Sequence, residues 1–157
     1  MTTEPPLSAS AQIYRMGVTW PQFCLLHATP WSIVWRGALR PFCCNFEVQV
    51  CYYAFAVPAV GIVPLISGDD RRIRPYVEII SPVLLARPEA AVPHTFPNRL
   101  RPAQPRLCLH LPGEWDPSMP IANTILPWTV EWLVAYEGWR ATGTWWAGGH
   151  GTERRAA

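Results

Sequence analysis

A chain of 157 residues is long enough for one domain with its own core and short for two; folding at this length buries roughly two thirds of the unfolded surface. Half of the residues are hydrophobic and 15% are charged, which excludes disorder as the default even though 18 prolines interrupt the pattern. The net charge of +2 rests on 13 arginines and no lysine; Arg71, Arg72 and Arg74 make one short cluster with no aromatic-basic stripe, so no nucleic-acid partner is expected.

The first residues, MTTEPPLSAS, lack a basic segment followed by an apolar one, so no secretory signal is read there. No run approaches the roughly 18 apolar residues that span a bilayer. Five cysteines at irregular spacing fit a reducing compartment better than a disulfide framework. A cytoplasmic protein without a membrane partner is the expectation.

In chain order, residues 1–7 read as a flexible tail, 8–150 as one domain and 151–157 as a second flexible tail. SASAQIYRM predicts a short helix capped by Ser8 or Ser10 and ended by Gly17. PQFCLL and WSIVWRGAL, separated by HATP, predict strands or an irregular ribbon. In CCNFEVQVCYYAF, Phe46, Val48 and Val50 alternate with Glu47 and Gln49, the period of a half-buried strand. VPAVGIVPLISGDDRR is broken by Pro58 and Pro64 and closes on a turn signal. Tyr76 to Ile80 is the next strand, cut by Pro82. Residues 87–105 hold five prolines and little periodicity, and read as a long ordered loop of the functional kind. The clearest helix lies in NTILPWTVEWLVAYEGWRATG, with Thr124 as N-cap, Pro127 in the first turn and Gly143 as the stop. Trp128, Trp132, Tyr136 and Trp139 recur at three- and four-residue spacing, with Ile125, Thr129 and Leu133 widening the face, so these aromatics are expected to cover a sheet. The pattern is α+β: an antiparallel meander covered by a helix in the C-terminal half.

The stretch PRLCLHLPGEWDPSM, residues 105–119, carries the chemistry. Cys108 leaves an apolar run directly into a loop, where a sulfur reaches solvent, and strand alternation puts Cys108 and His110 on one face. A cysteine nucleophile needs thiolate character and donors for the charge on the attacked carbonyl. His94, His110 and Asn98 are the candidates to assist it, with Asp116 the nearest acidic group downstream. Cys24, Cys43, Cys44 and Cys51 lack compact metal-ligand spacing, so neither a metal nor another cofactor is expected; the adjacent Cys43 and Cys44 read as one core and one surface residue.

FPN at 96–98, LCLHLP at 107–112, EWDP at 114–117 and IANTILPW at 121–128 resemble the active-site region of ubiquitin-conjugating enzymes, in which a His-Pro-Asn turn, a Cys-Leu segment and a Trp-x-Pro turn precede a helix. The upstream WRGALRPFCCNFEVQV resembles that family's hairpin. The set of PH at 93–94, LCLHLP, EW at 114–115, IANTILPW, EWL at 131–133, YEGW at 136–139 and TGTWWAGGH at 142–150 is similar to bacterial relatives encoded beside cyclic-oligonucleotide synthases in compact antiphage (CBASS) operons. The likeness departs from the eukaryotic pattern in three respects. Phe96 stands at the histidine of the His-Pro-Asn turn and Asn98 lies two residues farther from the cysteine, so the histidine's role passes to His94 or is lost. The N-terminal helix is a stub. WWAGGHGTERRAA replaces the usual two final helices.

The resemblance implies a ubiquitin-conjugating-like (UBC-like) fold with reduced terminal helices and a transferase that forms a thioester through Cys108. Its implied partner is a cyclic-oligonucleotide synthase, held through its C-terminus and thereby primed for antiviral signalling. Two other readings stand beside it: a conventional conjugating enzyme passing a bacterial ubiquitin-like protein to target lysines, and a non-catalytic adaptor that binds the synthase. The chain offers no lysine of its own to a carried acyl group. WWAGGHG has no lysine and follows no strand, so it is not read as a phosphate loop, and His150 is expected in a tail.

Overall fold

The computed structural model describes residues 4–53 and 75–147. The proline-broken stretch beginning at residue 57, the Arg71, Arg72 and Arg74 cluster, His150 and the C-terminal tail lie outside the described residues.

Helix α1 spans Ala9–Thr19, and Ser8 caps it by accepting a hydrogen bond from the Ala11 N–H at 3.2 Å. Gly17 does not end it. The helix runs two residues further: the Trp20 N–H closes the last turn on the Met16 carbonyl, and a tertiary bond from the Trp20 indole N–H to the Ala122 carbonyl at 2.7 Å holds that end. Buried Gln12 clamps the same region, donating to the Met119 carbonyl and accepting from the Ile121 N–H. Just before the helix, the Leu7 N–H donates to the Pro117 carbonyl at 2.8 Å.

Among the described residues six strands follow in one antiparallel sheet: β1 (Cys24–Thr29), β2 (Ser32–Leu39), β3 (Phe46–Tyr53), β4 (Pro75–Ser81), β5 (Thr95–Phe96) and β6 (Arg106–Leu107), in spatial order β1-β2-β3-β4-β6-β5. The first four form the expected meander. The last two sit inside or beside the stretch read as irregular loop; two-residue strands leave no periodicity to read.

Register gives each face of the sheet its character. Ile33 and Trp35 of β2 lie opposite Tyr52 and Val50 of β3, and Val50 and Val48 lie opposite Val77 and Ile79 of β4, making one apolar face. On the other face Arg36, Gln49, Glu78 and Arg106 stand in one row across four strands. Arg36 donates two hydrogen bonds to the Gln49 Oε1, and Arg101 pairs with Glu78 at 3.0 Å. Gln49 is therefore buried despite its place on the polar half of the alternation.

A single 3-10 turn, Ile121–Asn123, leads into α2, Ile125–Thr142. Its aromatics do cover the sheet: Trp132, Tyr136 and Trp139 are buried, Trp132 stacks on Tyr136, and Tyr136 meets Phe46 edge-on at 6.2 Å between ring centroids. Gly143 ends α2 in the left-handed region (φ 81°), returning its N–H to the Trp139 carbonyl. Thr124 holds the N-cap position but its hydroxyl does other work, donating to the Pro120 carbonyl and accepting from the Trp115 indole. After Gly143 the chain turns back so that Trp145 packs against the core.

Candidate active site

Cys108 follows β6 directly. Leu107 and Leu109 are buried in the core while Arg106, Cys108 and His110 are half-buried, so strand alternation persists past the last paired residue. The β5–β6 ladder pairs Thr95 with Leu107 and Phe96 with Arg106; one step along, His94 falls opposite Cys108, and the Cys108 N–H donates to the His94 carbonyl at 2.9 Å. This bond ties the cysteine's backbone to the loop that precedes β5.

His94 carries three further constraints. Its backbone has φ 51°, a left-handed conformation that few non-glycine residues adopt, so the chain turns sharply there. Its carbonyl also accepts the Trp132 indole N–H at 3.0 Å. The imidazole lies against Trp145 at 4.9 Å between ring centroids, and Trp145 meets Trp132 edge-on. Burial pushes the His94 pKa below the usual 6.5, so the ring is neutral at neutral pH.

His110 sits on the Cys108 side of the chain and packs on Trp128 at 5.6 Å. Its Nδ1 lies 3.0 Å from the Leu111 carbonyl oxygen. A carbonyl only accepts, so Nδ1 is the donor in this bond. A shallow recess lined by Tyr76, Phe96, Arg106, Leu107, Leu109 and His110 opens beside this segment.

The other two sequence candidates are engaged elsewhere. Asn98 is buried and donates both amide hydrogens, to the Glu78 Oε1 and the Gln104 carbonyl, each at 2.9 Å, while its oxygen accepts from the N–H groups of Leu100 and Arg101. No hydrogen of that amide is left for a developing oxyanion. Asp116 is exposed and accepts from the hydroxyl and N–H of Ser118, which lower its pKa; it shapes the turn after buried Trp115. The geometry therefore gathers His94 and His110 about the Cys108 segment and puts Asn98 and Asp116 in the supporting loops.

Competing sulfurs differ in environment. Cys51 is buried, which raises its pKa. Cys43 donates its thiol to Glu137 at 2.7 Å, and chiefly for that reason its pKa is pushed up to about 11, which keeps it a thiol. Cys43 and Cys44 are both exposed, not one in the core and one outside: they lie in a bend before β3, where adjacent side chains need not point to opposite faces.

Residues 12–153 match the family model of the type II CBASS E2 protein. The chain belongs to that family. A type II CBASS E2 protein is a cysteine-dependent transferase of the ubiquitin-conjugating kind that primes CBASS antiviral signalling and works with a cyclic-oligonucleotide synthase. The family thus decides for the enzyme over the adaptor, and for the signalling role over general conjugation to lysines. No curated protein matches the chain. Among the described residues no helix is long and apolar enough to cross a membrane.

Three contributors to the site escaped the sequence reading: Trp132, Trp145 and Trp128. The helical period of Trp128 and Trp132 marks them as core, and nothing in a period says that an indole N–H points at a carbonyl 38 residues away.

Proposed function

We propose that Cys108 is the nucleophile of this type II CBASS E2 protein and takes up the C-terminus of the partner synthase as a thioester. The observation that carries this reading is the position of Cys108: half-exposed at the end of a strand, its backbone tethered to His94, in a chain whose other described sulfurs include one buried and one held protonated by a carboxylate.

The synthase C-terminus arrives already activated as an ester or thioester of another carrier. The Sγ of Cys108 attacks its carbonyl carbon, the S–C bond forms, and the carrier departs with the electrons of its bond. His110 takes the thiol proton at Nε2, which its Nδ1–H bond to Leu111 keeps available as a base. The Leu109 N–H stabilises the oxyanion; a donor of this type contributes roughly 3–4 kcal/mol. In the second step an amine attacks the thioester carbonyl, the C–N bond forms, the C–S bond breaks, and the proton lost by the amine returns Cys108 to its thiol form. His94 acts as a positioning residue through its carbonyl, and Asn98 and Asp116 hold the loops on either side. The single domain over 8–150 and a cytoplasmic site of action belong to the same reading.

The test is intact-mass analysis of this protein recovered with its synthase under non-reducing conditions. A thiol-cleavable adduct is expected on the native chain and absent from Cys108→Ala. His110→Gln should slow adduct formation by about a hundredfold or more, the usual contribution of a positioned base. An adduct that persists in Cys108→Ala would remove this sulfur from the chemistry.

A further inference from the structure

Far from Cys108 in sequence, three donor groups meet. The bend between β2 and β3 brings Cys43 and Cys44 against Glu137 of α2, with one donor atom from each residue lying within 4.8 Å of the others. The two sulfurs are 3.7 Å apart. The carboxylate is fixed from behind: Oε2 accepts from the Cys43 N–H at 3.0 Å and Oε1 from that of Cys44 at 3.4 Å. Glu137 is only 9% exposed, and among the described residues no arginine pairs with it. A carboxylate held in place by two backbone donors, with one oxygen already at the Cys43 sulfur, is pre-positioned to serve as an anionic ligand beside the two thiols.

We propose that Cys43, Cys44 and Glu137 form a binding site for one thiophilic divalent cation of the zinc class. Zinc–sulfur bonds are about 2.3 Å, so two thiolates at adjacent corners of a tetrahedron stand about 3.8 Å apart. The observed 3.7 Å matches that edge. With a zinc–oxygen bond of about 2.1 Å, the sulfur–oxygen edge is about 3.6 Å. The present Cys43 Sγ to Glu137 Oε2 distance is 2.7 Å, the length of the S–H···O hydrogen bond that now joins them. Replacing the proton with the ion therefore opens this edge by about 0.9 Å and leaves the sulfur–sulfur edge in place.

The balance of the step is simple. Two thiols lose two protons to solvent, the ion gains two thiolates and one carboxylate, and the fourth corner takes water. Both cysteines are exposed, so the ion enters from solvent without any opening of the fold. Once bound, it clamps the β2–β3 bend to α2, the helix whose Trp132 also holds the His94 carbonyl. The sequence conceals such a site because two of its ligands are adjacent and the third lies 94 residues on.

The experiment uses the full chain, reduced and stripped of metal with a chelator. Cadmium is titrated in and followed by the thiolate-to-cadmium charge-transfer absorption in the near ultraviolet; zinc is titrated against a chromogenic chelator. One tight equivalent of either metal is expected on the native chain and on Cys108→Ala. The Cys43→Ser/Cys44→Ser form should lose both the band and the tight equivalent while melting within a few degrees of the native apo chain. Glu137→Gln should keep the band and bind at least tenfold more weakly. Zinc should raise the melting temperature of the native chain and leave that of the double serine form unchanged. A tight equivalent that survives in the double serine form would overturn the site, as would undiminished affinity in Glu137→Gln. The absence of any band on the native chain, with the two sulfurs instead oxidising to a disulfide, would also overturn it.

Discussion

Two cysteine regions of this chain are joined to the same helix, and α2 treats them in opposite ways. At one, Trp132 reaches the His94 carbonyl, which also receives the Cys108 N–H, and the sulfur's neighbours on its own segment are a half-buried histidine and buried leucines. At the other, Glu137 receives the Cys43 thiol itself and holds its proton, with the pKa at about 11. The helix meets the two cysteines at different atoms: it braces the Cys108 backbone through the His94 carbonyl, whereas at Cys43 its carboxylate meets the sulfur itself and holds the proton there.

The contrast can be broken first at Trp132. Trp132→Ala should cost about 3–5 kcal/mol by emptying the core beside Tyr136 and Trp145, lowering the melting temperature on the order of 10 °C in calorimetry. Next comes the other end of the helix. Glu137→Ala removes the chief cause that lifts the Cys43 pKa from 9.0 to about 11, so its thiolate fraction at neutral pH should rise by up to about a hundredfold. Peptide-resolved alkylation by iodoacetamide would show this as a newly fast Cys43, with Cys108 labelling unchanged; an equally slow Cys43 would mean that the carboxylate is not what protects it.

Trp132→Phe is a finer cut. It keeps a ring in the core and deletes only the donor to the His94 carbonyl, for about 1 kcal/mol of stability and an adduct-formation rate several-fold lower. The smallest effect is one of pH. Burial lowers the His94 pKa, so the unfolded chain binds the proton more readily than the folded one, and the stability associated with this ring is full above pH 6.5 and declines as pH falls below it. His94→Asn, which tolerates the left-handed backbone at this position, should show a shallower loss of melting temperature below pH 6.5 than the native chain. Parallel curves would remove His94 from the acid sensitivity.

Much of the fold was legible because its signals are local. The period-two run of Phe46, Val48 and Val50 sits in β3 as expected, and the aromatic face of α2 covers the sheet from Ile125 to the Gly143 stop. Alternation also placed Cys108 and His110 outward between buried Leu107 and Leu109. Gly17 misled, because a glycine weakens a helix by only about 1 kcal/mol and the Trp20 and Gln12 bonds to residues 119–122 outweigh it. Asn98 was placed beside the cysteine by motif, and its amide turns out to be spent on Glu78 and Gln104, partners that no motif names.

By itself the sequence determined the order of the elements, the amphipathic faces and the residue that leaves an apolar run for a loop, since each depends on neighbours within a few positions. Only the tertiary structure decided that His94 lies opposite Cys108, that Trp132 and Trp145 brace it, and that Cys43 and Cys44 meet Glu137. Those contacts join residues 14, 38, 51 and 94 positions apart along the chain, and a side chain's pKa, hydrogen bonds and ligands are set by whatever packing brings within a few ångströms.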